Sequence, residues 1–90
     1  MSHHKLPKED VIRRMNKIIG QLNGVKRMIE QDRDCPDVLL QIASVRSALG
    51  KIGLMITEDH MEHCISDSFQ KGKGQQSIAS MSKAMKQMLK

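Results

Sequence analysis

The sequence predicts an all-α protein of three helices, long, long and short, and three observations lead there. Two runs of apolar residues step alternately by four and three positions, no stretch carries a strand pattern, and Phe69 is the one aromatic residue of 90. Bulk therefore comes from Ile, Leu, Val and eight Met, a composition suited to helices packed along stripes.

The first stripe runs Val11, Met15, Ile18, Leu22, Val25, Ile29, widened by Ile12 and Ile19. Pro7 suits the first helical turn, and Glu9 and Asp10 follow it where the helix dipole favours acids. Gly20 and Gly24 each cost about 1 kcal/mol relative to Ala in a helix interior. Lying four apart on one face, they leave room for a neighbouring helix. "DRDCP" ends the pattern, because Pro36 disfavours helical geometry at Cys35 and suits the opening of the next helix. Asp34 or Cys35 is the expected cap.

The second stripe is Val38, Ile42, Val45, Leu49, Ile52, Ile56, and its helix is expected to run on through Cys64. The glycines of "QKGKGQQ" stop it. A short third stripe follows at Ile78, Met81, Met85 and Met88, which reads as core ahead of a copper-binding methionine array. Two heptad helices joined by a tight turn make an antiparallel hairpin, which buries too little apolar surface alone. Pairing two hairpins completes a dimeric four-helix bundle, so residues 1–90 are expected to form a single domain that works as a homo-oligomer.

The net charge of +5 and pI near 9.5 permit attraction to nucleic acid or to an anionic membrane. Lys5, Lys8, Arg13, Arg14, Lys17, Lys26, Arg27 and Arg33 all fall in the first third. No uninterrupted apolar run approaches the ~20 residues of a membrane span, and "MSHHKLPKED" lacks the apolar centre of a signal peptide. The expectation is a soluble cytoplasmic protein with no membrane partner, in which two cysteines serve as free thiols, metal ligands or redox centres. No phosphate-binding glycine loop or nucleophilic motif appears, so an enzyme is not expected.

In "TEDHMEHC", His60 and Cys64 stand four apart, on one helical face and suitably spaced for one metal. Cys35 lies 25 positions before His60, roughly 37 Å along a continuous helix at 1.5 Å per residue. A metal with bonds of about 2.0 to 2.3 Å does not bridge that span within one chain. An antiparallel second copy brings the Cys35 end of one subunit beside the His60 end of the other, so such a site lies between subunits. Two thiolates and an imidazole favour Cu(I) by ligand type and accept Zn(II) with a fourth ligand. Spacing alone leaves open a histidine and a buried cysteine that merely share a helix. His63 points off the 60/64 face and reads as a solvated neighbour, while His3 and His4 belong to a tail that could complete a Ni(II) or Co(II) site. Arg13, Arg14 and Lys17 suit phosphates or a plain solvated face. There is neither a helix-turn-helix signature nor an aromatic platform for single strands, which leaves duplex binding through backbone charge and shape.

With these residues placed, the sequence resembles the copper-sensitive operon repressor (CsoR/RcnR) family of metal-sensing transcriptional regulators. The resemblance is carried by "RRMNKIIGQLNGVKRMIEQDRDC", "DVLLQIASVRSAL" and "EDHMEHCISD" and covers nearly the whole chain. It implies a dimer of helical hairpins, often doubled to a tetramer, that represses transcription on double-stranded operator DNA. It implies Cu(I) held by Cys35 of one subunit with His60 and Cys64 of the other, and a DNA-facing surface with Arg14, Lys17, Arg46 and Gln21. Two positions depart: copper-sensing members carry a Tyr before the first cysteine and a Glu in the third helix, where this chain has Asp34 and Ser80. The persulfide-sensing branch is similar in "GQLNG" and uses cysteines matching Cys35 and Cys64 without the histidine, and nickel/cobalt sensors carry a histidine in place of Cys64. The expected function is a repressor that binds DNA without metal and releases it on binding Cu(I). The alternatives are a reactive-sulfur sensor, a nickel/cobalt sensor and a metal-buffering protein with no DNA role.

Overall fold

The structure, a computed structural model, describes residues 7–61 and 65–90. It is helical and contains no strand among the described residues, in keeping with the all-α expectation. Two compact units divide the chain, residues 7–52 and residues 53–90.

In the first unit α1 spans Lys8–Glu30. Pro7 takes the cap position ahead of the first turn, with φ −72° and ψ 81°, and its carbonyl accepts from Val11 N–H at 3.0 Å. The helix ends in a Schellman turn: Asp32 adopts φ 55° while its N–H donates to Ile29 and that of Arg33 donates to Met28. Those two bonds satisfy carbonyls that the helix end leaves open. The left-handed residue here is an aspartate, which carries a steric cost that glycine would not.

Helix α2 spans Cys35–Asp59. The Asp34 carbonyl accepts from Val38 N–H at 3.2 Å, so Asp34 caps the helix and Pro36 sits in the first turn, which requires no N–H from it. The antiparallel hairpin buries Val11, Ile18 and Val25 from α1 and Val45 and Ile52 from α2. These are every second member of the two stripes apart from Val38, which is half-buried. The alternate members, Leu22 at 49% and Leu49 at 43% among them, stay exposed. Gly20 has no atom near enough to touch an added Cβ and Gly24 meets only the Arg27 side chain, so the helix they leave room for is not in the described part of this chain.

By length and composition α2 is apolar enough to cross a membrane, which a count of uninterrupted apolar residues does not reveal. Its heptad spacing, with Arg46 and Lys51 inside it, equally meets the requirement of a helix packed in a bundle.

In the second unit the regular winding of α2 gives way. Thr57 Oγ1 donates back to the Gly53 carbonyl at 2.8 Å, a bond that bends helices, and the backbone at His60 and Met61 widens to π geometry. The expected continuation of the helix through Cys64 lies outside the described residues, which resume in a short α3 over Ile65–Gln70. Gly72 closes α3 at φ 75°, a conformation that suits glycine, with its N–H donating to Phe69. Helix α4 follows over Gly74–Met88 and packs on α3. Gly74 is buried against the Phe69 ring so closely that a Cβ would overlap it, and Gly53 meets the Met88 thioether in the same way.

Candidate functional site

Each unit carries its own candidate site. In the hairpin, Arg14, Lys17 and Gln21 line one groove of about 490 Å³. Arg13 joins them from α1, and Ser44, Ser47 and Lys51 face them from α2. Arg46, expected on the same surface, is exposed but does not line this groove. Sequence reading passed over Ser44, Ser47 and Lys51, although their spacing of three and four marks one helical face.

The groove is cationic and its charges are partly tethered. Asp10 accepts from Arg14 Nε at 3.1 Å and from the Arg13 guanidinium. These hydrogen bonds, Arg13 first and Arg14 second, hold the Asp10 carboxyl below its ordinary range. Both arginines remain solvent-exposed, so the pairs are weak and their donors are open to exchange with phosphate oxygens.

The candidate metal donors occupy the two ends of α2. Cys35, its first residue, is an exposed free thiol. His60 follows the last residue of the helix and is half-buried. Twenty-five residues at 1.5 Å each make α2 about 37 Å long, so one ion does not touch both residues of the same chain. Cys64, the third expected ligand, lies outside the described residues, as do His3, His4 and His63. Among the described residues no three His, Cys, Asp or Glu side chains cluster closely enough to hold a metal ion. The two donors that are described, a thiol and an imidazole, form a set that fits a soft ion.

His60 opens onto a cavity of about 390 Å³ that is also lined by Lys73, Ser77, Ser80 and Met81. Ser80, in the position where the resemblance expects a carboxylate, thus lines the same cavity as His60. A serine hydroxyl hydrogen-bonds an imidazole but brings no charge to it. Asp34, the other departure, caps the opposite end of α2.

Residues 7–87 match the family described as metal-sensitive transcriptional repressor. The chain belongs to that family. It is 37% identical over 90 residues to the copper-sensing transcriptional repressor CsoR of Bacillus subtilis (strain 168), covering 98% of this chain and 89% of that protein. The copper-sensing transcriptional repressor RicR of Mycobacterium tuberculosis is 38% identical over 65 residues, 72% of this chain and 68% of that one. Among solved structures, the copper-sensing repressor CsoR with Cu(I) from Geobacillus thermodenitrificans NG80-2 superposes with a TM-score of 0.88 at 33% identity, over 100% of this chain and 94% of the other. The nickel-responsive regulator InrS superposes at 0.73 with 34% identity, over 98% and 97%. The protein is accordingly a metal-responsive transcriptional repressor, a regulator and not an enzyme.

Proposed function

We propose that the protein is a cytoplasmic Cu(I)-responsive repressor that holds operator DNA in its metal-free form and releases it when copper binds. The reading is carried by one observation together with the family: Cys35 and His60 stand at opposite ends of a single 25-residue helix. Residues so separated serve one ion only when a second chain lies antiparallel to the first. The exposed alternate members of the stripes, Leu22, Ile29, Ile42 and Leu49, are the apolar surface such a partner would cover.

In the complete site Cys35 of one subunit, with His60 and Cys64 of another, would hold Cu(I), supplying two thiolates and an imidazole. The hairpin groove, with Arg13, Arg14, Lys17, Gln21 and Lys51, would take duplex phosphates, and Arg46 would add a further exposed cation. Two subunits joined at the metal site favour an arrangement that fits the duplex less well. Release requires that this arrangement bind Cu(I) more tightly than the DNA-bound one, since equal affinity for both shifts nothing.

Complementation tests the intersubunit site. Cys35→Ser and His60→Ala oligomers should each lose more than the about 100-fold in Cu(I) affinity that removing an outer partner costs. Mixing the two, with subunit exchange, should restore tight binding, because the Cys35 of one variant then meets the His60 of the other. Failure to restore it in exchanged mixtures would place the metal elsewhere.

A nickel signal is the second reading, supported by the similarity to InrS. It predicts release of DNA by Ni(II) at concentrations where Cu(I) is ineffective. Intersubunit tri- or tetrasulfide formed by Cys35 and Cys64, seen by mass spectrometry with retained repression in the presence of copper, would instead assign the signal to reactive sulfur.

A further inference from the structure

The second unit contains a group of sulfur donors that the intersubunit site does not use. Met61 from the π turn and Met81 and Met85 from α4 line one apolar cavity of about 520 Å³. Met81 and Met85 are four apart on one face of α4 and half-buried, and Met61 is 57% exposed at the rim. Met81 also lines the cavity onto which His60 opens, so one thioether borders both spaces.

We propose that Met61, Met81 and Met85 form a thioether site for Cu(I) next to His60, from which the ion passes to the intersubunit ligands; this rests on the Cu(I) reading above. Two physical arguments lead to it. Thioether sulfur is a soft neutral donor that selects Cu(I) over the harder divalent ions. Methionine has three rotatable bonds, so three of them around one open cavity can converge their sulfurs at little cost. The rest of the lining is Ile78, Ser82, Lys86 and Leu89, so the three thioethers are the soft donors the cavity offers.

The site has a signature that the intersubunit ligands lack. Cysteine and histidine must lose protons to bind metal, whereas a thioether has none to lose. At about pH 5, where protons compete for imidazole and thiolate, thioether binding should persist. The test is anaerobic addition of Cu(I), supplied as its acetonitrile complex, to protein carrying [methyl-13C]methionine, at about pH 5 and about pH 7. The methyl signals of Met61, Met81 and Met85 should shift together at both pH values, saturating at one ion per chain at about pH 5 and at two at about pH 7, where the intersubunit site fills as well. The shifts should survive in Cys35→Ser/His60→Ala/Cys64→Ser protein, and the Cu(I) retained by the protein at about pH 5 should be lost in Met61→Leu/Met81→Leu/Met85→Leu protein, whose side-chain volume is nearly kept.

Unmoved methyl signals would overturn the proposal, as would equal shifts at Met15, Met28 and Met55, or unchanged Cu(I) binding at about pH 5 in the triple leucine variant. Because wild-type affinity at about pH 7 depends on Cys35 and His60 while the low-pH shifts do not, the intersubunit reading and this one fail separately. Should the cysteine and histidine variant prove unfolded, the same methyl shifts in the wild-type protein at about pH 5 still decide the question.

Discussion

In residues 7–52 burial falls on Val11, Ile18, Val25, Val45 and Ile52, aliphatic side chains seven positions apart within each helix, whereas among the described residues of 53–90 it falls on Thr57, Asp59 and Gly74. The first pattern is that of a helix pair held by one repeated contact. The second is that of short segments fitted by particular side chains: a hydroxyl bonded back to its own helix, a glycine beneath an aromatic ring. A repeated contact tolerates variation on its outer faces, and there the hairpin carries its row of cations. The irregular segment has π winding, a left-handed glycine and open cavities, and there the chain places His60 and its methionines. Regular packing supplies a frame and departures from it place His60, whereas Cys35 opens the regular helix α2 in the first unit.

The contrast is open to attack from both sides. Ile18→Ala empties a buried position of the hairpin and should lower unfolding stability by about 2 to 5 kcal/mol in chemical denaturation. A loss below about 1 kcal/mol would deny that the seven-residue contact holds the hairpin. Gly74→Ala drives a methyl group into the Phe69 ring and should cost about 1 to 3 kcal/mol, most of it recovered in the Gly74→Ala/Phe69→Ala double variant. Without that recovery, the fit of Phe69 on Gly74 is not what orders α3 against α4.

Smaller effects probe the outer face. Arg14→Ala and Lys51→Ala should each flatten the slope of log affinity against log salt for duplex DNA by about 0.9 for every phosphate that the removed cation had neutralised, with Cu(I) affinity unchanged. An unaltered slope for Lys51→Ala would remove α2 from the DNA surface. Asp32→Gly relieves the left-handed aspartate that ends α1 and should raise stability by about 1 kcal/mol or less.

The smallest change concerns Asp10. Its carboxyl is held below the ordinary range by Arg13 and Arg14, so whatever stability the pairs add is present above the normal carboxylate pKa and is lost as pH falls through the lowered one. Asp10→Asn should therefore leave a shallower acid limb in the stability profile, read by thermal unfolding between neutral and acid pH. With one negative charge fewer beside the groove, it should also bind DNA more tightly at low salt.

The all-α class, the two long stripes, the turn at "DRDCP" and the stop at "QKGKGQQ" are legible in the sequence, because each rests on local rules of spacing and backbone preference. Separation of Cys35 from His60 is legible for the same reason, since helix length follows from residue count alone. Tertiary structure alone decided which half of each stripe is buried, because heptad spacing marks a face without saying how much of it one neighbour covers. It also decided that Ser44, Ser47 and Lys51 join the basic residues of α1, that Ser80 lines the cavity onto which His60 opens, and that Met61 shares a cavity with Met81 and Met85. Those are meetings between residues distant in sequence, and the periodicity of a single helix carries no information about the partner facing it.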